Sequence, residues 1–430
     1  MQRRGLTVVA TSRERATGRD SVMSSKADTG LAARARSAGA IAGRRRDARP
    51  TLSVFIGVLA VLLAVGWAAN HFAALMPVIG GSQHLSAATL DAVFGIYAVG
   101  LLPGLLIGGP ASDAFGRHTV AWAGTATVLA GTVGMLVSQQ SGVLLAGRLI
   151  VGAGVGLAMT SCTAWASDLR GPAGAATAGA VLIAGFAIGP FVAGVVAWAG
   201  RSGVQMSFAI AAALVVAATS VTVVAVLRSG SATPARAEAA DSSAPVRQGA
   251  ALALSWALPL APWVFASATL AFVAIPTRIH TGLPAPMAAG VAALVVNGAS
   301  GLIQIAARAR AWGAHAGTAG AALAALGYAV TALAPPAITP QLGLPLFLVL
   351  GCASGLSLRG GLIDLETAAP QHIRGTLTGV FYAMTYIGFG LPLLLADLGS
   401  PAHAAPVLGI MAVLASVTAG SRAVRLRRDA

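Results

Sequence analysis

Twelve apolar stretches, each close to the length of a membrane span, dominate this sequence and leave only short polar turns between them. A helix crossing the hydrocarbon core needs about 20 apolar residues, since it must satisfy its backbone hydrogen bonds internally where no water is present. The stretches fall at roughly 52–75, 90–111, 118–138, 142–166, 175–198 and 203–227, then 250–275, 284–307, 315–335, 341–364, 375–396 and 403–421. A polar segment from Arg228 to Gln248 parts them into two sets of six. The expected fold is an all-α membrane protein with 12 transmembrane helices in two six-helix bundles. Its expected parts are a basic tail (1–50), a first half (51–227), a linker (228–249), a second half (250–422) and a short tail (423–430).

Charge placement orients these spans. Of the 28 Lys and Arg residues, 24 lie in segments that share one side if the chain starts inside. They are the twelve of the first 50 residues, then Arg117, Arg170, Arg228, Arg236, Arg247, Arg308, Arg310, Arg374, Arg422, Arg425, Arg427 and Arg428. Arg201 and Arg278 fall on the other side, and Arg148 and Arg359 lie within spans. Basic residues are retained on the cytoplasmic side. The pattern therefore predicts a multi-pass protein of the cell (inner) membrane with both termini cytoplasmic. The formal net charge of +15 is then a topology signal and an attraction to anionic lipid, not a nucleic-acid footprint.

Other classes are disfavoured by what the sequence lacks. Only 10% of residues are charged and the mean hydropathy is +0.79, too apolar for a soluble domain. The single lysine, Lys26, is not in a Gly-Lys-Ser/Thr phosphate loop, so no ATP-driven pump is expected. Cys162 and Cys352 both lie in apolar runs, and no cysteine–histidine cluster suggests a metal or another cofactor. The first 50 residues contain no apolar core long enough for a signal peptide, and Met23 is an alternative start. A membrane enzyme would gather His, Cys or carboxylates at one depth. A sensor would carry a soluble domain, for which the tail and linker are too small.

The two sets of six echo each other. Leu169-Arg170-Gly171 follows the fourth span and Ile373-Arg374-Gly375 follows the tenth. Gly185-Phe186 and Gly189-Pro190 in the fifth span answer Gly388-Phe389 and Pro392 in the eleventh. Gly152 and Gly156 answer Gly351 and Gly355. Parallel repetition of a six-helix unit predicts pseudo-symmetric halves.

Three motifs carry a family resemblance. The second and third spans are joined by Gly109-Pro110-Ala111-Ser112-Asp113-Ala114-Phe115-Gly116-Arg117-His118. The fourth span has Arg148 followed by Gly152, and the fifth has Gly185, Gly189, Pro190 and Gly194. This order resembles the major facilitator superfamily, and in particular its drug/proton antiporters. Gly109, Asp113, Gly116 and Arg117 match the family's conformational-switch loop, although Ala114 replaces a usual basic residue. In the second half Ile305 stands where an aspartate would complete the equivalent loop, and Arg308 and Arg310 keep its basic character. The resemblance implies that Arg148 serves proton coupling or substrate charge recognition; snorkelling to the membrane surface is the alternative. It also implies that the fifth-span motif marks an exporter, while a plain glycine packing face explains the same residues. Pro190 removes a backbone donor and allows a bend.

Polar residues inside the spans are the remaining site candidates. Asn70 and His71 fall in the outward half of the first span and Asp91 starts the second. His71 could relay protons or simply bond at a helix end. Asn297 and Gln304, seven apart, share a helical face and could line a cavity or bond a neighbour. Arg359 and Asp364 form a candidate ion pair at an inner gate, with solvated loop charges as the alternative. Tyr382 with Tyr386, and Trp256 with Trp263, also share faces and suit packing or a greasy wall for hydrophobic cations or neutral drugs. No acidic residue lies deep in the first, fourth or seventh span, which leaves the protonation site open.

The expected function is secondary active transport by alternating access, as proton-coupled efflux of a small hydrophobic or amphiphilic molecule. Import or facilitated passage of a metabolite is the alternative. The expected partners are a small-molecule substrate, protons and the lipid bilayer, with the chain working as a monomer and not as an enzyme.

Overall fold

The computed structural model describes residues 52–229, 249–370 and 373–429. The basic tail with its Met1 or Met23 start, and most of the linker with Arg236 and Arg247, lie outside the described residues. Within them stand twelve helices long and apolar enough to cross a membrane. They are α1 (Leu52–Gln83), α2 (Ala87–Phe115), α3 (Arg117–Val137), α4 (Ser141–Gly171), α5 (Ala173–Ala197) and α6 (Arg201–Ser229). The second set is α7 (Ala250–Arg278), α8 (Ala285–Ala309), α9 (His315–Leu333), α10 (Pro340–Ala368), α11 (Thr376–Asp397) and α12 (Pro401–Arg428). Among the described residues the only β feature is a bridge between Ile279 and Ile338.

Short turns make successive helices antiparallel. Gly116 (φ 92°) sits between α2 and α3, and Gly171 (φ 63°) between α4 and α5. Both angles strain any residue with a Cβ, so these glycines set the corners. The alternation gathers Arg117, Arg170, Arg228, Arg308, Arg310, Arg422 and Arg425 at one end of the bundle, here the basic end. Arg201 and Arg278 lie at the opposite end.

The packing repeats with a shift of six helices. In the first half α4 packs against α2 and α3, and α3 against α6; in the second half α10 packs against α8 and α9, and α9 against α12. The halves meet where α5 packs on α8 and where α11 packs on α2, two contacts that the same shift interchanges. Lipid tails are as apolar as leucine, so close packing of small residues holds such helices together. A Cβ on Gly124 would stand 2.6 Å from the Ala158 amide nitrogen, and one on Gly131 2.6 Å from the Gly147 carbonyl. The α3–α4 contact therefore tolerates no side chain at either position.

Two helix ends differ most from those read in the sequence. Helix α1 continues past a single turn residue, His71, to Gln83, so Asn70 and His71 lie just beyond its middle and not near its end. Pro77 and paired glycines imitate a helix end in the sequence, yet packing carries the helix through them. Helix α12 runs to Arg428, so most of residues 423–430, read as a tail, is helix. Helix α5 keeps helical dihedrals through Pro190. By contrast α7 and α11 are locally remade: α7 takes a π turn over Leu270–Ala274, and α11 a 3-10 turn over Ile387–Gly390. Such local departures from α geometry concentrate at functional positions.

Candidate functional site: a cavity between the halves

A cavity of about 650 Å³ runs from the middle of the bundle toward the basic end. Both halves line it, chiefly through α5, α7, α8, α10 and α11. Its walls are apolar and aromatic, with Phe186, Phe265, Tyr382, Tyr386 and Phe389 among them. Asn70, Asn297 and Gln304 all reach it, and none of its described lining residues is acidic. A second cavity, about 950 Å³, lies toward the opposite end and holds Asp91 and Arg278. The structure thus separates Asp91 from the other coupling candidates, because α2 begins at Ala87 and leaves Asp91 one turn inside that far end.

An aromatic layer stands between the two cavities. Phe94 of α2 stacks on Phe389 of α11, with centroids 5.1 Å apart, and meets Phe272 of α7 edge-on at 6.2 Å. Tyr97 approaches Phe389 at 6.0 Å, and Phe265 and Tyr386 stack at 4.4 Å on the other side. Phe272 and Phe389 are carried by the π turn of α7 and the 3-10 turn of α11. Sequence reading missed the layer, since its members lie on three helices and only the distorted turns aim them together.

Arg148 braces this layer from within the first half. Its side chain is fully buried, which rules out snorkelling. The guanidinium lies over Tyr97 (4.5 Å), Phe72 (5.0 Å) and Phe94 (5.9 Å), and Nη1 donates to the Ala69 carbonyl at 2.7 Å. Its Nε and Nη2 have no hydrogen-bond partner among the described residues; neither do Tyr97 Oη nor His71 Nε2. His71 is itself buried, packs edge-on against Phe208 and places Nδ1 3.1 Å from the Ala68 carbonyl oxygen. A desolvated cation held mostly by ring faces is sensitive to any charge that arrives beside it.

Pro190 explains two of the amides. Lacking an N–H, it leaves the Phe186 carbonyl, four residues earlier, without its helical donor. Asn70 Nδ2 of α1 donates to that oxygen at 3.1 Å, and Asn297 Nδ2 of α8 reaches it at 3.4 Å while bonding Ala293 at 2.9 Å. Residues picked separately in the sequence thus meet at one backbone atom. The neighbouring glycines are packing surfaces. Gly185 and Gly189 lie against the α1 backbone around Trp67, and Gly194 lies against Pro286 of α8. Gln304 Nε2 donates to the Ser300 carbonyl at 3.2 Å.

At the basic end the α2–α3 loop forms a network. Arg117 Nη1 meets Asp113 Oδ1 at 2.5 Å, and Arg117 Nε meets Asp168 Oδ2 of α4 at 2.8 Å. Ser112 accepts from Arg117 at 2.7 Å and donates to the Gly109 carbonyl at 2.8 Å. Asp168 was not singled out in the sequence; it lies 51 residues from Arg117, beyond any local spacing rule.

The expected Arg359–Asp364 pair is not formed. Five residues apart on a helix, the two point some 140° away from each other. Asp364 is instead gripped by Arg422 of α12, with Nη1–Oδ2 at 2.8 Å and Nη2–Oδ1 at 3.2 Å. Arg422 also donates to the Trp256 carbonyl at 2.6 Å and the Ala314 carbonyl at 3.3 Å. Trp256 thus faces Arg422 and Arg425, while Trp263 packs on Tyr328, so neither tryptophan of that pair lines the cavity toward the basic end.

Two six-helix halves around a shared central cavity are the build of a membrane transporter. The sequence matches the family model of the Major Facilitator Superfamily over residues 54–393, and the chain belongs to that family. It is accordingly a transporter and not an enzyme. Among solved structures the fold is similar to a peptide transporter of the POT type in complex with alafosfalin, at 13% identity and TM-score 0.71, covering 87% of this chain and 94% of that one. It is also similar to the nucleoside transporter NupG, at 16% identity and TM-score 0.62, covering 87% and 97%. A bacterial homologue of the human drug peptide transporters PepT1 and PepT2 gives 12% identity and TM-score 0.65, covering 88% and 100%. A search of curated protein sequences gave no significant match.

Proposed function

We propose that this transporter exports a small neutral or anionic amphiphile, taken into the inner cavity from the cytoplasm and driven by proton entry. The observation that carries this reading is the cavity wall: aromatic and apolar surface, three amides, and no acidic group among the described lining residues. Such a wall suits an apolar body with one polar head and disfavours the hydrophobic cations that the aromatic pairs also suggested. The arginine-rich basic end is the cytoplasmic one in this reading, on the asymmetry of charge between the two ends. The fifth-span glycines and Pro190, by their resemblance to exporters, support outward movement.

Arg148 is the coupling residue in this scheme. His71 and Tyr97 are the protonatable side chains beside it. A change of charge there alters the hold of the guanidinium on Phe94, which stacks on Phe389 of the other half, and on Tyr97, which lies tilted beside it. Proton state and the joint between the halves are thereby linked.

The test is proton flux in everted vesicles carrying a gradient-sensitive dye, with neutral and anionic aromatic amphiphiles added in turn. Substrate-dependent collapse of the gradient is expected, with loss in Arg148→Gln. A second reading, uptake of a small metabolite, is favoured by the peptide and nucleoside transporters whose fold this chain resembles. Accumulation of labelled substrate in right-side-out vesicles under an inward proton gradient, with no response in everted ones, would replace export by uptake.

A further inference from the structure

Two arginines line the inner cavity where it nears the basic end: Arg308, at the close of α8, and Arg359, on α10. They come from different helices and are near enough for their charges to repel each other. Neither has an ion-pair partner among the described residues, whose salt bridges involve Arg117 and Arg422 only. The Nε of Arg359 is buried without a hydrogen-bond partner. Glu366 attracts Arg359 from further along α10, yet it stays beyond ion-pair distance and outside the cavity lining. Two guanidiniums facing one space are unfavourable together unless an anion enters between them.

Topology alone accounts for Arg308 but not for Arg359. Arg308 is exposed at a helix end, where a retained cation orients the span. Arg359 is only half-exposed, nine residues before the end of α10, with buried Gly360 and Gly361 beside it. Deeper in the same cavity Phe265 and Tyr386 stack, with Tyr382 and Phe389 beside them. The cavity thus offers paired cations at its mouth and aromatic faces at its floor.

We propose that Arg308 and Arg359 form an anion-binding pair. It receives the carboxylate, sulfonate or phosphate head of an amphiphile whose apolar body lies along Phe265, Tyr382 and Tyr386. The inference rests on the cavity being the substrate site and narrows the substrate class to anionic amphiphiles. The head comes from a soluble amphiphile or from an anionic lipid of the facing leaflet, and the experiment separates these sources.

The test is equilibrium dialysis of labelled 2-naphthalenesulfonate, against the neutral 2-naphthalenesulfonamide, with the full chain in phosphatidylcholine nanodiscs. The sulfonate is expected to bind about tenfold more tightly, the scale of a hydrogen-bonded charge. Arg308→Gln and Arg359→Gln should each remove most of that preference while sulfonamide binding persists, which also reports an intact fold. Arg310→Gln, outside the lining, should change neither. Added phosphatidylglycerol that competes with the sulfonate identifies lipid as the source of the head; no competition identifies a soluble amphiphile. Equal binding of both probes, or a preference that survives in the double variant, overturns the pair while leaving the substrate cavity standing. Binding of neither probe overturns the cavity reading and the pair together.

Discussion

Each half of the molecule closes its basic end with an aspartate–arginine contact, and the two contacts are built oppositely. In the first half Arg117 is shared between Asp113 and Asp168, with side-chain exposures of 26%, 67% and 39%. In the second half Arg422 grips Asp364 with exposures of 2% and 5%, and the guanidinium is further fixed by two backbone carbonyls. An exposed pair is screened by water and makes and breaks at little cost. A buried pair cannot lose one partner without stranding a charge. The difference teaches that the same chemistry costs little to separate in one half and much in the other.

Removing one member of the buried pair should have the largest effect. Arg422→Ala is expected to destabilise the solubilised protein by about 3–5 kcal/mol, the scale for a broken buried pair. Thermal melting followed by size-exclusion chromatography checks it. The double replacement Asp364→Leu with Arg422→Met should recover most of that loss, and failure to do so would mean that the backbone contacts matter more than the charge pair. In the first half, Asp168→Asn should shift stability by less than about 1 kcal/mol while clearly slowing transport in vesicles. A large loss of stability there would erase the contrast.

Smaller effects sharpen the comparison at the joint between the halves. Phe389→Ala should loosen the aromatic layer, raising proton leak through reconstituted vesicles without substrate. Asn297→Ala removes one donor to the Phe186 carbonyl and should cost about 1 kcal/mol, with Asn70 still holding that oxygen. A melting shift several times larger would make Asn297 the principal support of the α5–α8 contact.

Much of the fold was legible because each helix must be apolar for its full length and because arginine marks one end of nearly every one. The far part of α1 was not. His71, Pro77 and the glycines beyond it read locally as a stop, and packing against helices of both halves overrides them. The α2–α3 loop was legible because its residues are neighbours in sequence. The third member of its network, Asp168, and the true partner of Asp364, 58 residues away at Arg422, come together only through tertiary packing. The meeting of Asn70 and Asn297 escaped for another reason: what joins them is a backbone oxygen, which no residue letter records.

That oxygen gives α5 a property of its own. An ordinary helical carbonyl already accepts one bond from its own helix, which leaves it one lone pair for a neighbour. Here Pro190 leaves the Phe186 oxygen unclaimed by α5, so its two lone pairs serve α1 on one side and α8 on the other. When α8 moves away, a water molecule can take the place of Asn297 without unwinding any turn. At this atom the α5–α8 contact is thus built like a bearing: exchanging Asn297 for water breaks no bond of the α5 helix.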